Sequence, residues 1–264
     1  MGMKIIVCAK QVLDPETPSS IFKIDRDAKR AVPPPGADPV VNGFDEIAME
    51  AALRIKASVG GSITVVSMGR SFVMDVIKKP LAMGADELIL LQDDAFETAD
   101  SFVTTNVLAA AIRRIGKFDL ILCGRQASDW DNAQVPLGLA ELLDLPCLTF
   151  AKNVELSNGS VRVQRVTPDG HEVLEAVLPA LVTVSNELGE PRTPSIKGIM
   201  ASTRATPTVW GLGDLGVDPS SCARVELVEL FIPAREKRCE MIEGEDDTDA
   251  GRKLALKLRE AKLI

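Results

Sequence analysis

Residues 120–135 read LILCGRQASDWDNAQV, a short apolar run that ends in glycine and passes into a polar loop. The run has the length and branched side chains of a buried strand, and Gly124 allows a tight exit from a sheet. A helix is predicted to follow and to end at Leu143. Asp129 or Asp131 could cap this helix, and capping alone would also explain both aspartates. The free N–H groups where the helix begins could bind a phosphate, at Asn132, Ala133, Gln134 and Val135.

Three more runs of branched apolar residues precede this strand, at residues 5–9, 63–67 and 87–91. Segments with apolar residues at helical spacing lie between the runs, at residues 44–57, 71–82 and 102–115. Gly84 and Gly116 follow two of these helices, where a left-handed glycine commonly ends a helix. Strands that alternate with helices are typical of a parallel sheet. We therefore predict an α/β fold with a mostly parallel, doubly wound, Rossmann-like sheet that binds an adenine nucleotide.

Two additions to a plain parallel sheet are predicted. Residues 14–41 are rich in proline, so this insertion has little regular structure apart from a short hairpin at residues 22–30. Beyond residue 150, short alternating strands are separated by the hairpin signals Asn158-Gly159 and Asp169-Gly170. We expect these strands, and the run at residues 181–184, to extend the sheet in antiparallel fashion.

The nucleotide-binding domain is predicted to span residues 1–200, with residues 201–264 forming an extended C-terminal arm. The arm lacks periodicity until an acidic stretch leads into a final helix, predicted at residues 249–262. The apolar stripe of this helix has little core of its own chain to join, so we expect it to pack on a partner subunit.

Composition and motifs exclude several classes of function. A net charge of -8 leaves no basic surplus for nucleic acid phosphates, and no apolar run approaches the ~20 residues that span a bilayer. The apolar N-terminal stretch is too short for a secretory signal, so we expect a soluble, cytoplasmic protein. One histidine and five scattered cysteines suggest no metal site. The sequence has none of the motifs typical of NAD-binding, ATPase or hydrolase sites, and we predict no catalytic residue.

Other residues at the predicted strand ends suit a nucleotide. Ala9 ends the first strand and Ser67 the second, both at the rim where parallel strands meet their ligands. Small side chains there let a nucleotide approach the backbone closely. Asn42, just before the first helix, offers an amide to an adenine or ribose edge, although an asparagine helix cap is the commoner role.

Eight segments, taken in order, resemble the β subunit of electron-transferring flavoproteins, and the resemblance covers nearly the whole chain. They are residues 7–12 with Asp14, 41–46, 65–69, 81–86, 124–134, 186–192, 197–200 and 214–217. The family implies a heterodimer in which a larger α subunit holds a redox FAD and the β subunit binds a second adenine nucleotide. That nucleotide is AMP in ordinary members. In electron-bifurcating members it is FAD, which takes a hydride from NADH.

The resemblance also implies which residues act. The nucleotide contacts would be Ala9, Asn42, Ser67, Asp129, Asn132, Gln134 and Val135, and Gly124, Arg125 and Ala133 complete the predicted set. Residues 193–200 match the loop by which family members dock on acyl-CoA dehydrogenases. The predicted docking residues are Thr193, Pro194 and Met200, with Ile196 at the apolar anchor position. An ordinary surface turn is the alternative for this segment.

The type of nucleotide depends on a few positions. Ala133-Gln134-Val135, Gly124-Arg125-Gln126 and Phe44-Asp45 favour the bifurcating type. Trp130 and Gly43 depart from it, because they stand where bifurcating members usually have glycine and proline. FAD is the expected cofactor and NADH the expected electron donor, with AMP as the alternative. Expected partners are the α subunit, an acyl-CoA or enoyl-CoA dehydrogenase or reductase, and ferredoxin. A stand-alone, stress-type nucleotide-binding protein is the alternative from another class.

Overall fold

The computed structural model describes residues 2–18, 20–233 and 239–264, and the chain divides into two compact units, Met1–Glu229 and Leu230–Ile264. The strands are β1 (Met3–Cys8), β2 (Gln11–Val12), β3 (Lys23–Asp25), β4 (Arg30–Val32), β5 (Val40–Val41), β6 (Gly61–Gly69), β7 (Glu87–Gln92), β8 (Leu120–Gly124), β9 (Cys147–Ser157), β10 (Ser160–Thr167), β11 (Gly170–Val177), β12 (Ala180–Val184) and β13 (Thr208–Trp210). The helices are α1 (Gly43–Val59), α2 (Met74–Ile77), α3 (Lys79–Met83), α4 (Ser101–Ile115), α5 (Val135–Leu142), α6 (Ile196–Arg204), α7 (Leu212–Leu215), α8 (Pro219–Cys222) and α9 (Asp247–Glu260).

The central sheet has nine strands, in the order β11-β10-β9-β12-β8-β1-β6-β7-β13. Every neighbouring pair from β9 across to β13 is parallel. From β1 the chain adds β6 and β7 on one side and then β8 on the other, so the direction of winding reverses between β1 and β8. Sheets of this kind bind ligands at the reversal, outside the carboxyl ends of the strands. The predicted α/β fold with a mostly parallel sheet is confirmed.

Helices cover both faces of the parallel strands. Ile5 and Val7 of β1 belong to the apolar layer that includes α1, whereas Ile6 belongs to the opposite layer with α4 and α5. β8 and β12 are buried at every position. Strands buried on both faces are continuous apolar runs, which is why the pattern at residues 120–123 identified a strand of this type.

Two local predictions are wrong. The helix predicted at residues 71–82 is broken into α2 and α3 at Lys78, because Pro80 has no N–H to donate and its ring would crowd the preceding turn. The run at residues 181–184 is not antiparallel, since β12 lies parallel to both β8 and β9. Its five buried residues occupy the interior of the sheet, where a continuous apolar run is typical of a parallel strand.

The antiparallel extension consists of β9, β10 and β11, as predicted. The turn between β9 and β10 has Asn158 at φ 47 and Gly159 at φ 82, the two positive angles that a type I′ hairpin requires. The insertion after β1 contains the expected hairpin, formed by β3 and β4.

The first unit extends past residue 200, because β13 is the edge strand beside β7. Arg114 of α4 stacks on Trp210 of β13, with its guanidinium carbon 4.7 Å from the ring centroid. The second unit contains α9, which is capped by the carboxylate of Asp246 and exposes Leu254 and Leu256. Among the helices of residues 2–18, 20–233 and 239–264, none is both long and apolar enough to cross a membrane.

Candidate nucleotide site

A row of small residues crosses the carboxyl ends of β6, β1 and β8. Cys8 pairs with Val66 on one side and with Cys123 on the other, which places Ala9 between Ser67 and Gly124. All three residues of the row are buried. Because none has a large side chain, a ligand can approach the backbone at the point where the sheet reverses its winding.

Asn42 holds the loop that follows β8. Its side chain is almost fully buried; its Nδ2 donates to the carbonyl of Gln126 (2.9 Å), and its Oδ1 accepts from the N–H of Ser128 (3.2 Å). The amide therefore fixes the loop against the start of α1. Direct contact of Asn42 with a nucleotide stays a prediction.

Lys10 and Asp129 form an ion pair from the end of β1 to the same loop, with the Lys10 Nζ 2.7 Å from Asp129 Oδ2. Asp131 accepts a hydrogen bond from Nε2 of Gln126 (2.7 Å). Neither aspartate caps α5, so that part of the sequence interpretation is wrong. The residue at the cap position is Gln134, whose side chain makes no capping bond.

The backbone before α5 has the shape of an anion site. Asp131 and Ala133 have φ values of 51 and 53, and Gln134 returns to the right-handed region at φ -92 and ψ -37. Alternation between left- and right-handed residues turns successive N–H groups into one concavity, which suits a phosphate. The four predicted N–H donors, those of Asn132, Ala133, Gln134 and Val135, make no hydrogen bond to any other described residue.

Three buried side-chain atoms in the part of the chain that the structure describes have no hydrogen-bond partner: Ser67 Oγ, Arg125 Nε and Ser128 Oγ. Ser67 ends the row of small residues, and the other two belong to the loop after β8. Buried polar atoms are nearly always paired, and each unpaired one costs about 1–3 kcal/mol. A polar ligand at the crevice would remove that cost, so these residues fit a nucleotide.

Arg125 adds a flat cationic surface beside the crevice. Its guanidinium carbon lies 4.6 Å from the ring centroid of Phe44 and 5.9 Å from that of Phe150. Its backbone N–H donates to the carbonyl of Val184 (3.1 Å), which anchors the loop to β12. An arginine packed on aromatic rings keeps its plane fixed, so the charge of Arg125 has a defined place beside the loop.

Asp45 is the buried carboxyl at the centre of this arrangement, and no chemical role is predicted for it from the sequence. Burial raises the pKa of Asp45 to about 7, although hydrogen bonds from the Asn42 side chain and from the N–H groups of Lys10 and Gly124, with the Lys10 charge, act to lower it. An acidic residue in the first turn of a helix is usually an exposed partner of the helix dipole. Its only signal in the sequence was its place in the Phe44-Asp45 pair.

Comparison with known proteins identifies the family of the chain. The family model described as "Electron transfer flavoprotein domain" matches residues 36–215, which include the start of α1, the row of small residues in β6 and β8, and the loop before α5. The chain belongs to this family. Its resemblance to electron-transferring flavoproteins is thereby confirmed.

Relatives in the family match the chain over nearly its whole length. The "Caffeyl-CoA reductase-Etf complex subunit CarD" of Acetobacterium woodii is 37% identical over 99% of this chain and 100% of its own. An "Electron transfer flavoprotein subunit beta" of Thermoanaerobacterium thermosaccharolyticum is 37% identical over 92% of this chain and 93% of its own. The protein of the same description from Megasphaera elsdenii is 36% identical over 94% of each. The chain is therefore an electron transfer flavoprotein subunit of the β type.

The docking segment predicted from the family is an exposed apolar helix face. Ile196 is 80% exposed, and Ile199 and Met200, one turn later on α6, are more than half exposed. Thr193 and Pro194 lead into the helix. Residues at these spacings share one face of a helix, so the three apolar side chains form one patch. That the patch receives a dehydrogenase stays a prediction.

Glu50 of α1 anchors the chain just before the docking segment. Its carboxylate accepts from Nε of Arg192 (2.7 Å) and from Nε of Arg54 (2.9 Å). Burial pushes the pKa of Glu50 upward, but the hydrogen bonds from Arg192 and Arg54 outweigh burial and lower the pKa to about 2. Gly198 lets α6 lie against the carbonyl of Ala82, where a side chain would collide.

Trp130, which departs from the pattern of bifurcating members, is about half exposed in the loop before α5. No group of three or more histidine, cysteine, aspartate or glutamate side chains in the described ranges could hold a metal ion.

Proposed function

We propose that this β subunit binds FAD in the crevice between β1 and β8 and takes part in flavin-based electron bifurcation together with an α subunit. The observation that carries the proposal is that three buried polar atoms and four backbone N–H groups at one crevice have no hydrogen-bond partner among the described residues. A phosphate needs several donors and a close backbone approach, and the row of small residues supplies the second.

Each part of the crevice would have one task. The N–H groups of residues 132–135 would receive the phosphates, and the hydroxyls of Ser67 and Ser128 would bond the polar edges of the nucleotide. Arg125, held flat by Phe44, would border the ring. Bound FAD would supply hydride acceptance and one-electron transfer, while these residues would fix its position and tune its potential.

FAD is preferred to AMP for two reasons. Ala133-Gln134-Val135 matches the bifurcating type in the family resemblance. One of the relatives is named as a subunit of a caffeyl-CoA reductase–Etf complex, in which a flavoprotein is joined to a reductase. We extend this to an NADH donor, an enoyl-CoA reductase or acyl-CoA dehydrogenase as partner, and ferredoxin as second acceptor, in the cytoplasm. The exposed patch of α6 would bind the dehydrogenase, and α9 would bind the α subunit.

Cofactor analysis of the co-expressed αβ pair tests this proposal. Two FAD per pair, with NADH-dependent reduction of ferredoxin in the presence of an enoyl-CoA acceptor and its reductase, is the expected result. One FAD with one AMP, and no ferredoxin reduction, would replace it by the ordinary electron transfer function; the bulk of Trp130 beside the phosphate loop is the observation that favours this second candidate. A stable homodimer that binds ATP and does not bind the α subunit would contradict both candidate functions.

A further inference from the structure

Asp45 lies beneath the crevice and joins its two walls. Its Oδ2 accepts from the N–H of Lys10 (2.8 Å), and its Oδ1 accepts from the N–H of Gly124 (3.2 Å). Lys10 follows the end of β1 and Gly124 is the last residue of β8. One carboxylate therefore bridges the two strands between which the winding of the sheet reverses.

The shape of the site matches this bridge. A Cβ on Gly124 would overlap Oδ1 of Asp45 and stand only 2.7 Å from Cβ of Phe44. The first turn of α1 thus sits directly against the end of β8, and only glycine permits that approach. Asn42, three residues before Asp45, fixes the following loop through Gln126 and Ser128.

We propose that Asp45 is a positioning residue of the nucleotide site, whose carboxylate sets the spacing between the ends of β1 and β8 and thereby the place of the loop that follows β8. The inference rests on the proposed function, since it requires a nucleotide in the crevice.

A role in positioning explains why a charged group is kept there. Only 8% of Asp45 is exposed, and burial of a carboxylate is unfavourable where a neutral residue could fill the space. An ionised carboxylate offers two acceptor oxygens to two N–H donors. Protonation of the carboxylate turns one of these oxygens into an O–H donor, which then faces an N–H donor and weakens that hydrogen bond. Because burial raises the pKa of Asp45 to about 7, this change falls within the neutral pH range.

The charged and titratable groups around Asp45 are few. Lys10 follows β1 and is paired with Asp129, the Cys123 thiol lies on β8, and Arg125 comes next in the loop. On α1 the neighbouring Glu46 is paired with Lys79 of α3. A bound phosphate would repel the Asp45 carboxylate, so a purely electrostatic role predicts tighter binding when the charge is removed. A positioning role predicts weaker binding of the nucleotide when the charge is removed.

The test compares Asp45→Asn with the wild type, each as the co-expressed αβ pair stripped of nucleotide and titrated with FAD and with AMP. At pH 8.5 we expect the dissociation constant of the variant to be at least tenfold higher than that of the wild type. At pH 6 the ratio should fall below about threefold, because the wild-type carboxyl is then largely neutral too. Titration of the ligand's own phosphate cancels in the ratio.

Glu46→Gln is the matched control. It removes the same charge from the same helical turn, but its described ion-pair partner is Lys79 of α3, which is not a crevice residue. Its dissociation constants should equal those of the wild type at both pH values. Equal constants for Asp45→Asn as well would overturn the inference, and so would tighter binding by that variant at pH 8.5. A wild type that binds neither ligand at any pH would overturn the proposed function and this inference with it.

Amide hydrogen exchange of the wild type decides the matter if Asp45→Asn does not fold. After correction for intrinsic rates, the Lys10 and Gly124 amides should be less protected at pH 6 than at pH 8.5. The amide of Ala52, inside α1, should not lose protection at pH 6. Unchanged protection at both amides would overturn the inference.

Discussion

The crevice and the exposed face of α6 are both supported by a buried carboxylate of α1, yet the two carboxylates have opposite surroundings. Asp45 receives N–H groups of the backbone and the Asn42 amide, and its pKa is raised to about 7. Glu50, five residues later, receives two guanidinium groups, and its pKa is lowered to about 2. At Asp45 the backbone and amide donors do not offset the effect of burial on the pKa, whereas at Glu50 the two arginines do. The crevice should therefore respond to pH near neutrality, and the support of α6 should not.

The largest expected effect is the pH dependence that Asp45 confers on stability. The folded protein keeps this proton up to about pH 7, while the unfolded chain loses it near the usual value of 3.8. The free energy of unfolding should therefore fall as pH rises from about 4 to about 8, by up to about 4 kcal/mol from this group. Chemical denaturation of the αβ pair at fixed concentration should show this slope in the wild type and its loss in Asp45→Asn. Identical slopes in the wild type and in Asp45→Asn would mean that Asp45 of the folded protein is ionised across this pH range.

The glycine beside Asp45 should be nearly as sensitive. Gly124→Ala places a methyl group against Asp45 and Phe44, so we expect a loss of about 3 kcal/mol in stability and loss of the bound nucleotide. Gly43→Ala is the control, because a Cβ there meets nothing within 4 Å. Denaturation and nucleotide release measure the two effects. Normal nucleotide content in Gly124→Ala would show that the close approach is not required.

Glu50 should separate the two regions. Glu50→Gln removes the charge that holds Arg192 and Arg54, and because both arginines are about half exposed we expect a loss of only about 1–2 kcal/mol. That loss should be present at pH 7 and should disappear as pH falls from about 4.5 to about 2, where the wild-type carboxylate becomes protonated. Electron transfer with the dehydrogenase should slow while nucleotide content stays normal. A fall in nucleotide content would show that Glu50 also affects the crevice, and would contradict the independence of the two regions.

The smallest effect on stability is expected at the docking patch. Ile196→Ala removes an exposed side chain, so the free energy of unfolding should change by less than about 0.5 kcal/mol. The affinity for the dehydrogenase partner should nevertheless fall about tenfold, as expected for an apolar anchor. Val177→Ala, an exposed apolar residue on β11, is the control and should leave affinity unchanged. Calorimetric titration of the pair with the dehydrogenase gives the affinities, and chemical denaturation gives the free energies of unfolding. An Ile196→Ala affinity equal to that of the wild type would place the docking surface elsewhere.

Local patterns in the sequence were sufficient for most elements of the fold. The strands β1, β6, β7 and β8 and the helices α1 and α4 follow from apolar periodicity, because each is buried in a regular way. The break at Lys78 was missed although Pro80 is visible, since apolar spacing continues across it. The direction of β12 was missed because a short run between hairpins does not reveal which strands will flank it.

The site was only partly predictable for a different reason. The row of Ala9, Ser67 and Gly124 follows from strand ends, which are local features. The bridge from Asp45 to Lys10 and Gly124 joins residues 35 and 79 positions apart, and the pair of Glu50 with Arg192 spans 142 positions. Local sequence patterns do not predict such contacts, because the contacts form only when the sheet brings its strand ends together.

A crystal structure of the αβ pair with its cofactors would show whether the crevice holds a nucleotide. We expect an adenine nucleotide between β1 and β8, with its phosphates on the N–H groups of residues 132–135 and polar contacts to Ser67 and Ser128. A nucleotide bound elsewhere on this subunit, or a crevice filled by the protein's own side chains, would contradict it.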